Sequence, residues 1–297
     1  MSTPRCSVVL IVFNGEQFLS EAIESVLSQT IGDWELLVVD DGSADGARSI
    51  VESFAAKDSR VRVLAHPGGA NRGMSATRNL GLREARGEWV ALLDHDDRFE
   101  PAKLEVMLEL LEAHPAAAAA IGPNLRWHSW REAAPEPDTV QSLGDGASGL
   151  LDPPGLLPSF LVRAAATPLG PVVRRRVALA IGGFEESFRG MYEDQVFLAR
   201  LMLRHPIVVS DAVLHRYRQH ESSCVTATRR SGRDLAARRR FLDQLDAELD
   251  AAGVPAPDPL WAVVANERRA TRGWWLRMLR RSAINVAGAL RGEGRTG

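Results

Sequence analysis

The first hundred or so residues switch repeatedly between two hydrophobic periods, and that alternation limits the folds open to the chain more than any other feature. Val8-Val9-Leu10-Ile11-Val12-Phe13 is a continuous apolar run rich in β-branched residues, the pattern of a strand covered on both faces. Leu19, Ile23, Val26 and Leu27 follow at helical spacing. Glu35 to Val39 reads as a second strand stopped by Asp40-Asp41-Gly42-Ser43, with Ile50, Val51 and Phe54 marking a helix behind it. Val61 to Leu64 and Trp89 to Leu93 read as further strands, with a helix over Ser75 to Ala85 between them. Pro101 suits the first turn of another helix, which carries Leu104, Leu108 and Leu111 on one face. Such alternation predicts right-handed crossovers, hence an α/β fold with a doubly wound, mostly parallel sheet flanked by helices. Ligands are then expected outside the carboxyl ends of the strands. Both acidic clusters, Asp40-Asp41 and Asp94-His95-Asp96-Asp97, fall at those ends.

Composition narrows the partners. The chain has 297 residues, more than one average domain. Its 36 basic and 38 acidic side chains leave no basic excess, which argues against nucleic acid. A hydrophobic fraction of 45% supports a packed core and excludes wholesale disorder. Cys6 and Cys224 are too few for a disulfide framework or a cysteine metal site, so a reducing, cytoplasmic setting is expected. The run from Val8 to Phe13 is too short to span a bilayer, and no later run reaches that length.

From Ala133 to Pro171 the chain turns rich in Pro, Gly, Ser and Asp, which predicts a long excursion of the kind that forms a lid or an acceptor-binding segment. Helices are expected again over Glu193 to Arg204, Asp234 to Ala252 and Trp261 to Leu290, the last two making a helical C-terminal extension. The final one carries Arg268, Arg269, Arg272, Arg277, Arg280 and Arg281 around Trp274 and Trp275. A basic aromatic helix suits peripheral contact with an anionic membrane, at its inner face for a cytoplasmic protein; packing through Leu276, Leu279 and Ile284 is the plainer alternative.

Asp94-His95-Asp96-Asp97 sets three carboxylates in four residues after a buried strand, enough for two of them to hold a hard divalent cation. The same residues also suit a solvated turn that leads into the next helix. Around them stand further short segments in a definite order. These are Val8 to Asn14; Phe18-Leu19 with Ser25 to Gln29; and Trp34 to Ser43. Asn71-Arg72-Gly73 with Ala76 to Gly81, and Gly87 to Asp97, complete the set. Together they resemble the family 2 glycosyltransferases, which have the GT-A fold. The resemblance spans residues 6 to about 112 and returns over 182–223. Two departures stand out: Ile11 where many relatives carry proline, and Phe13 for the commoner tyrosine.

The resemblance implies a role for each matching residue. Asp41 would contact the nucleotide base, with Asp40 shaping the same turn, and Arg78 and Asn79 would lie near the nucleotide, where a guanidinium can offset diphosphate charge. Asp96 and Asp97 match the ribose-contacting and metal-binding members of a DxD-type motif, with Asp94 behind them and Mn²⁺ or Mg²⁺ as the cation. Glu193-Asp194, after Gly182-Gly183-Phe184, resembles the family's ED motif, so Asp194 is the expected base that removes the acceptor proton; an acidic helix start favoured by the macrodipole is the alternative. His215 to Ser223 resembles a segment where His220 could complete the cation's shell, Arg218 offset charge, and His215 serve structure. Trp127 and Trp130 suit either sugar stacking or packing.

The implied reaction is inverting transfer from a nucleoside-diphosphate sugar, with UDP the expected carrier, to an acceptor hydroxyl on an envelope polysaccharide, glycolipid or secondary metabolite. The expected division is a nucleotide-sugar-binding half over residues 1–112, an acceptor-binding and catalytic half over 113–224, and the extension over 225–297. A nucleotidyltransferase would bring a Gly-rich basic loop after the first strand, where Asn14-Gly15-Glu16-Gln17 stands. A catalytically silent glycan- or partner-binding module on the same fold is the other rival, against which Asp96, Asp97 and Asp194 speak.

Overall fold

The first two apolar runs form strands β1 (Cys6–Val12) and β2 (Trp34–Asp40), every residue of which is buried, with helix α1 (Glu16–Leu27) between them. The computed structural model describes residues 3–134, 136–144, 147–161 and 169–271. The basic C-terminal segment from Arg272 onward, with Trp274 and Trp275, lies outside the described residues.

The chain continues as α2 (Ala47–Ala55), β3 (Val61–Ala65), α3 (Met74–Glu84), β4 (Trp89–Asp94), β5 (Arg98–Phe99) and α4 (Lys103–Ala113). Then come β6 (Ala119–Ile121), β7 (Asn124–Trp127), β8 (Thr139–Gln141), β9 (Gly149–Leu151) and α5 (Leu157–Leu161). After the excursion follow β10 (Val172–Arg174), α6 (Arg175–Ala180), α7 (Glu193–Arg204), β11 (Ile207–Val209), β12 (His215–Arg218), α8 (Cys224–Arg230) and α9 (Asp234–Ala251). Residues 259–271 are again helical.

The main sheet has the order β3-β2-β1-β4-β10-β6-β11-β9. Its first four strands are parallel, as helix-linked crossovers require. Beyond β4 the sheet is mixed: β10 runs antiparallel to both β4 and β6, and β9 antiparallel to β11. The strand β10 arrives from the proline-rich excursion rather than through a crossover helix, so nothing obliges it to point with its neighbours. A smaller sheet, β5-β12-β7-β8, sets β12 antiparallel to β5, just past the acidic turn. Register brings the acidic clusters together, since Ile11 of β1 pairs with Asp94 and the next residue, Val12, pairs with Asp40.

The described part of the C-terminal extension shares the central core. Phe241, Leu242, Leu245 and Leu249 of α9 join Val196, Phe197 and Leu201 of α7 in one apolar cluster, together with Leu260 and Val264. Arg200 spans the same interface, its Nε donating to Glu248 at 2.6 Å and its Nη2 to Glu185 at 2.9 Å.

One buried charge in the core works against stability. Lys103 of α4 is 1% exposed, with its ammonium 5.5 Å from the Phe99 ring, and burial pushes its pKa down to about 7. A lysine depressed from 10.5 to about 7 withdraws stability as the pH falls, and the loss is complete below the folded value. Lys103→Met is therefore expected to raise the melting temperature at pH 7, by roughly 2–4 °C for each kcal/mol recovered, and to change little near pH 11. Thermal unfolding at the two pH values checks this; a lower melting temperature at pH 7 would mean the ammonium makes a contact worth keeping.

Candidate active site

A cavity of about 870 Å³ opens where β1, β2 and β4 end. Its mouth carries Phe13, 46% exposed, and Asn14, whose backbone is left-handed (φ 51°) and whose Oδ1 accepts from the Ala44 N–H at 2.8 Å. At Gly15 a Cβ would lie 2.2 Å from the His95 ring, so only glycine lets the acidic turn approach the start of α1 this closely.

Asp41 lines the cavity and joins the second strand to the loop before α3. Its carboxylate accepts the N–H groups of Arg72 at 2.6 Å and Gly73 at 2.9 Å. Asp40 does not line the cavity; its Oδ1 accepts the Ser43 N–H at 2.9 Å and closes the turn after β2.

The acidic turn closes through the Asp97 N–H donating to the Asp94 carbonyl at 3.1 Å. One carboxylate oxygen from each of Asp94, Asp96 and Asp97 lies within 4.8 Å of the others. The three side chains have different surroundings. Asp94 accepts from Arg78 Nη2 at 2.6 Å. Asp96 faces the cavity and meets His220 Nε2 at 2.9 Å, while Nδ1 of that ring meets Ser222 Oγ at 2.8 Å. Asp97 is buried behind them, with Oδ2 2.8 Å from His215 Nε2 and Oδ1 accepting the Arg218 N–H at 3.0 Å.

Burial raises Asp96, but the hydrogen bond from His220 and the electrostatic pull of His95 and His220 together outweigh it and hold this carboxyl below its ordinary range. Asp97 is pushed well above that range by burial and by the charges of Asp96 and Asp94. Burial and Lys103 keep His215 neutral. Three carboxylates in one turn, one of them driven toward protonation by its neighbours, are a donor set suited to a hard divalent cation, which would relieve the crowding.

Arg78 has a side chain only 7% exposed, and its guanidinium bridges the two acidic motifs. Nη1 donates to Glu193 Oε1 at 2.7 Å and Nη2 to Asp94. Arg78 lines the cavity with its charge already matched by two carboxylates of the protein. Asn79 does not line the cavity. It sits under the Gly-Gly-Phe segment, where Oδ1 accepts the Phe184 N–H at 2.8 Å and Nδ2 donates to the Phe184 carbonyl at 2.9 Å. A Cβ at Gly183, where φ is 64°, would lie 2.5 Å from that Oδ1.

Helix α7 begins at Glu193 after Tyr192, whose φ of 81° turns the chain into it. Glu193 is buried, and burial together with the neighbouring Asp194 charge raises its pKa to about 7. Asp194 is half-buried and lines the cavity; burial raises its pKa against the pull of Arg78, and its Oδ1 accepts the Gln195 N–H at 2.8 Å.

Further side chains complete the surroundings, and of these Arg238 carried no signal in the sequence. Tyr217 lines the cavity, and burial with the charges of Asp97, Asp96 and Asp194 keeps its hydroxyl protonated. Arg238 reaches the cavity wall from α9, and the free thiol of Cys224 from α8. Trp127 and Trp130 pack on the Arg218 guanidinium, 4.4 and 5.2 Å from its carbon, which accounts for both rings without a sugar. Among the described residues no helix is long and apolar enough to cross a membrane.

Residues 7–136 match the family model for glycosyl transferase family 2. The chain is 40% identical over 108 residues to the putative glycosyltransferase EpsH of Bacillus subtilis strain 168, a match that covers 36% of this chain and 30% of EpsH. The chain thus spans about a third of that relative's length. Among solved structures, S. aureus TarS 1-349 in complex with UDP superposes with a TM-score of 0.62 at 20% identity, over 82% of this chain and 65% of that one. The mannosyltransferase PcManGT from Pyrobaculum calidifontis, in complex with GDP-Man and Mn²⁺, does so with a TM-score of 0.57 at 17% identity, over 92% and 83%. The fold is therefore GT-A, as in these solved glycosyltransferases, and residues 7–136 are similar to glycosyl transferase family 2.

Proposed function

We propose that the chain is an inverting, metal-dependent glycosyltransferase. It moves a sugar from a nucleoside-diphosphate sugar, with UDP as carrier, to a hydroxyl of an envelope polysaccharide, glycolipid or secondary-metabolite acceptor. The observation that carries this reading is the meeting, in one cavity, of the three-carboxylate turn and the half-buried Asp194, with Arg78 bridging the motifs to which they belong. Residues 1–112 bind the donor, 113–224 supply the base and the acceptor wall, and the extension from 225 closes the cavity with Arg238.

Each step falls to a residue of this chain. Phe13 offers an exposed ring for the base to stack on, and Asp41 keeps lone pairs for a base N–H beyond those bound to Arg72 and Gly73. Asp96, Asp97 and His220 would hold Mn²⁺ or Mg²⁺, with Asp94 beside them on the cavity wall. Such a cation supplies charge neutralisation for the departing diphosphate. Asp194 takes the acceptor's proton as the acceptor oxygen bonds to the anomeric carbon, on the face opposite the breaking C–O bond to phosphate. Burial raises its basicity for that task. Tyr217, held protonated, can donate a hydrogen bond to donor oxygens.

The neighbours' bound nucleotides, UDP in one and GDP-Man with Mn²⁺ in the other, support the donor class and define the test. Calorimetric titration of UDP, TDP and GDP, with and without Mn²⁺, is expected to show UDP binding tightest and only with the cation. Asp96→Ala should lose at least tenfold of that affinity. Binding of no diphosphate under any condition would replace this reading with the silent binding module.

A further inference from the structure

Arg218, at the end of β12, has a side chain only 1% exposed, and the reaction above leaves it without a task. It does not line the cavity, so no substrate touches it. Its contacts all lead to the acidic turn or to the parts that brace it. Nε donates to the backbone carbonyl of Asp96 at 2.8 Å, and its own N–H donates to Asp97 Oδ1 at 3.0 Å. Nη2 donates to Glu21 Oε2 of α1 at 2.9 Å. Three rings surround the guanidinium carbon: Trp127 at 4.4 Å, Phe18 at 4.5 Å and Trp130 at 5.2 Å. Trp130 is fixed in turn by donating Nε1 to the Gln219 carbonyl at 3.0 Å, and Phe18 meets the His220 ring edge-on at 5.0 Å.

Burying a guanidinium is costly unless its hydrogen bonds and its charge are met. The three aromatic faces and Glu21 meet them, so the group is held without freedom to turn. Its charge runs against the obvious purpose. A fixed cation next to a cation site repels the incoming ion, so charge alone would make Arg218 harmful to metal binding. Geometry is what remains. The planar fork reaches the Asp96 carbonyl and Glu21 in two directions at once, which a lysine ammonium cannot reproduce.

We propose that Arg218 is the positioning residue of the cation site: from behind, it fixes the backbone of Asp96, the carboxylate of Asp97 and the strand end that carries His220. This role rests on the reading of the acidic turn as a divalent-metal site. The aromatic pair Trp127 and Trp130 then serves the metal site at one remove, as walls of the box that keeps the guanidinium in place.

Mn²⁺ binding, read from the electron paramagnetic resonance of free Mn²⁺ during titration with and without UDP, tests the role independently of turnover. Arg218→Lys keeps the charge and loses the fork; Arg218→Met loses both. Each is expected to weaken Mn²⁺ binding by about 10–100-fold, the usual effect of removing the support behind a ligand. Glu21→Gln, at a side chain 44% exposed, should weaken it by a few-fold. Thermal unfolding of the metal-free proteins reports whether each variant is folded. Wild-type affinity in Arg218→Lys, or tighter binding in Arg218→Met, would overturn the proposal and leave Arg218 as a charge or a packing element. Should the Arg218 variants fail to fold, Glu21→Gln and Trp130→Leu decide, and unchanged Mn²⁺ affinity in both overturns it. A wild type that binds no Mn²⁺ at all, with or without UDP, sinks the metal reading and this role together. Equal binding by wild type and variants sinks the role alone.

Discussion

Asp194→Asn is expected to lower kcat by roughly 10²–10⁴-fold, or about 3–5 kcal/mol of barrier, while UDP and Mn²⁺ still bind within a few-fold of wild type. The asymmetry follows from geometry. Asp194 stands at the start of α7, whereas the proposed donor and cation residues stand just after β2, β4 and β12. Asparagine keeps the shape of the side chain and its acceptance of the Gln195 N–H, so the helix start is undisturbed. It removes only the ability to take a proton. Glu193 cannot replace it, because its carboxylate is buried and bound to Arg78. The pH profile gives a second readout. Burial raises the Asp194 carboxyl, and a base works only when deprotonated. The acid limb of kcat/KM in the wild type should therefore lie above the ordinary carboxylate range, and Asp194→Asn should lose it. Activity within tenfold of wild type, with the limb intact, would remove Asp194 from the role of base.

Asp194 stood out in the sequence only through the resemblance carried by Gly182-Gly183-Phe184 and Glu193-Asp194, whereas Asp41 and Asp96 stood out for a physical reason. A buried parallel strand must be apolar along its length, so the first acidic residues after it mark the end where ligands bind. Asp41 and Asp96 follow such strands, and both line the cavity. The direction in which a helix residue turns is another matter. Neighbours on α3, Arg78 and Asn79 read alike in the sequence, yet Arg78 lines the cavity while bound to Glu193, and Asn79 turns to Phe184. Those partners lie 115 and 105 residues further on, and no local pattern announces them.

Distance in sequence hid the Arg218 box as well. Arg218 stood out only as one charge in a polar segment, because Glu21 and Phe18 come from α1 and Trp127 from β7. The antiparallel course of β10 had no signal either, since a strand of three residues carries no mark of its direction.

Arg78→Met should give the largest loss of stability of any single change at the site. Removing Arg78 leaves Glu193, with a side chain 6% exposed, without its hydrogen-bonded partner, and breaking a buried pair from one side costs about 3–5 kcal/mol. At roughly 2–4 °C per kcal/mol, a fall on the order of 10 °C is expected. Asp94 loses the same partner, but at 36% exposure water can replace it. The pH dependence identifies the cause. Glu193 has a folded pKa of about 7, raised above its ordinary value of 4.5, so its contribution is present at low pH and lost as the pH rises through 7. Without the Arg78 charge, Glu193 stays protonated to still higher pH. Wild type and variant then respond alike below about 7, and above it only the variant goes on losing stability. The gap in melting temperature must therefore widen between pH 6 and pH 8.5. Adding Glu193→Gln removes the titrating group, so the double variant should show no such widening and should recover part of the loss. A gap that stays constant with pH, in both the single and the double variant, would mean that Arg78 stabilises the fold by packing over Phe184 and not by holding the charge that joins the two acidic motifs.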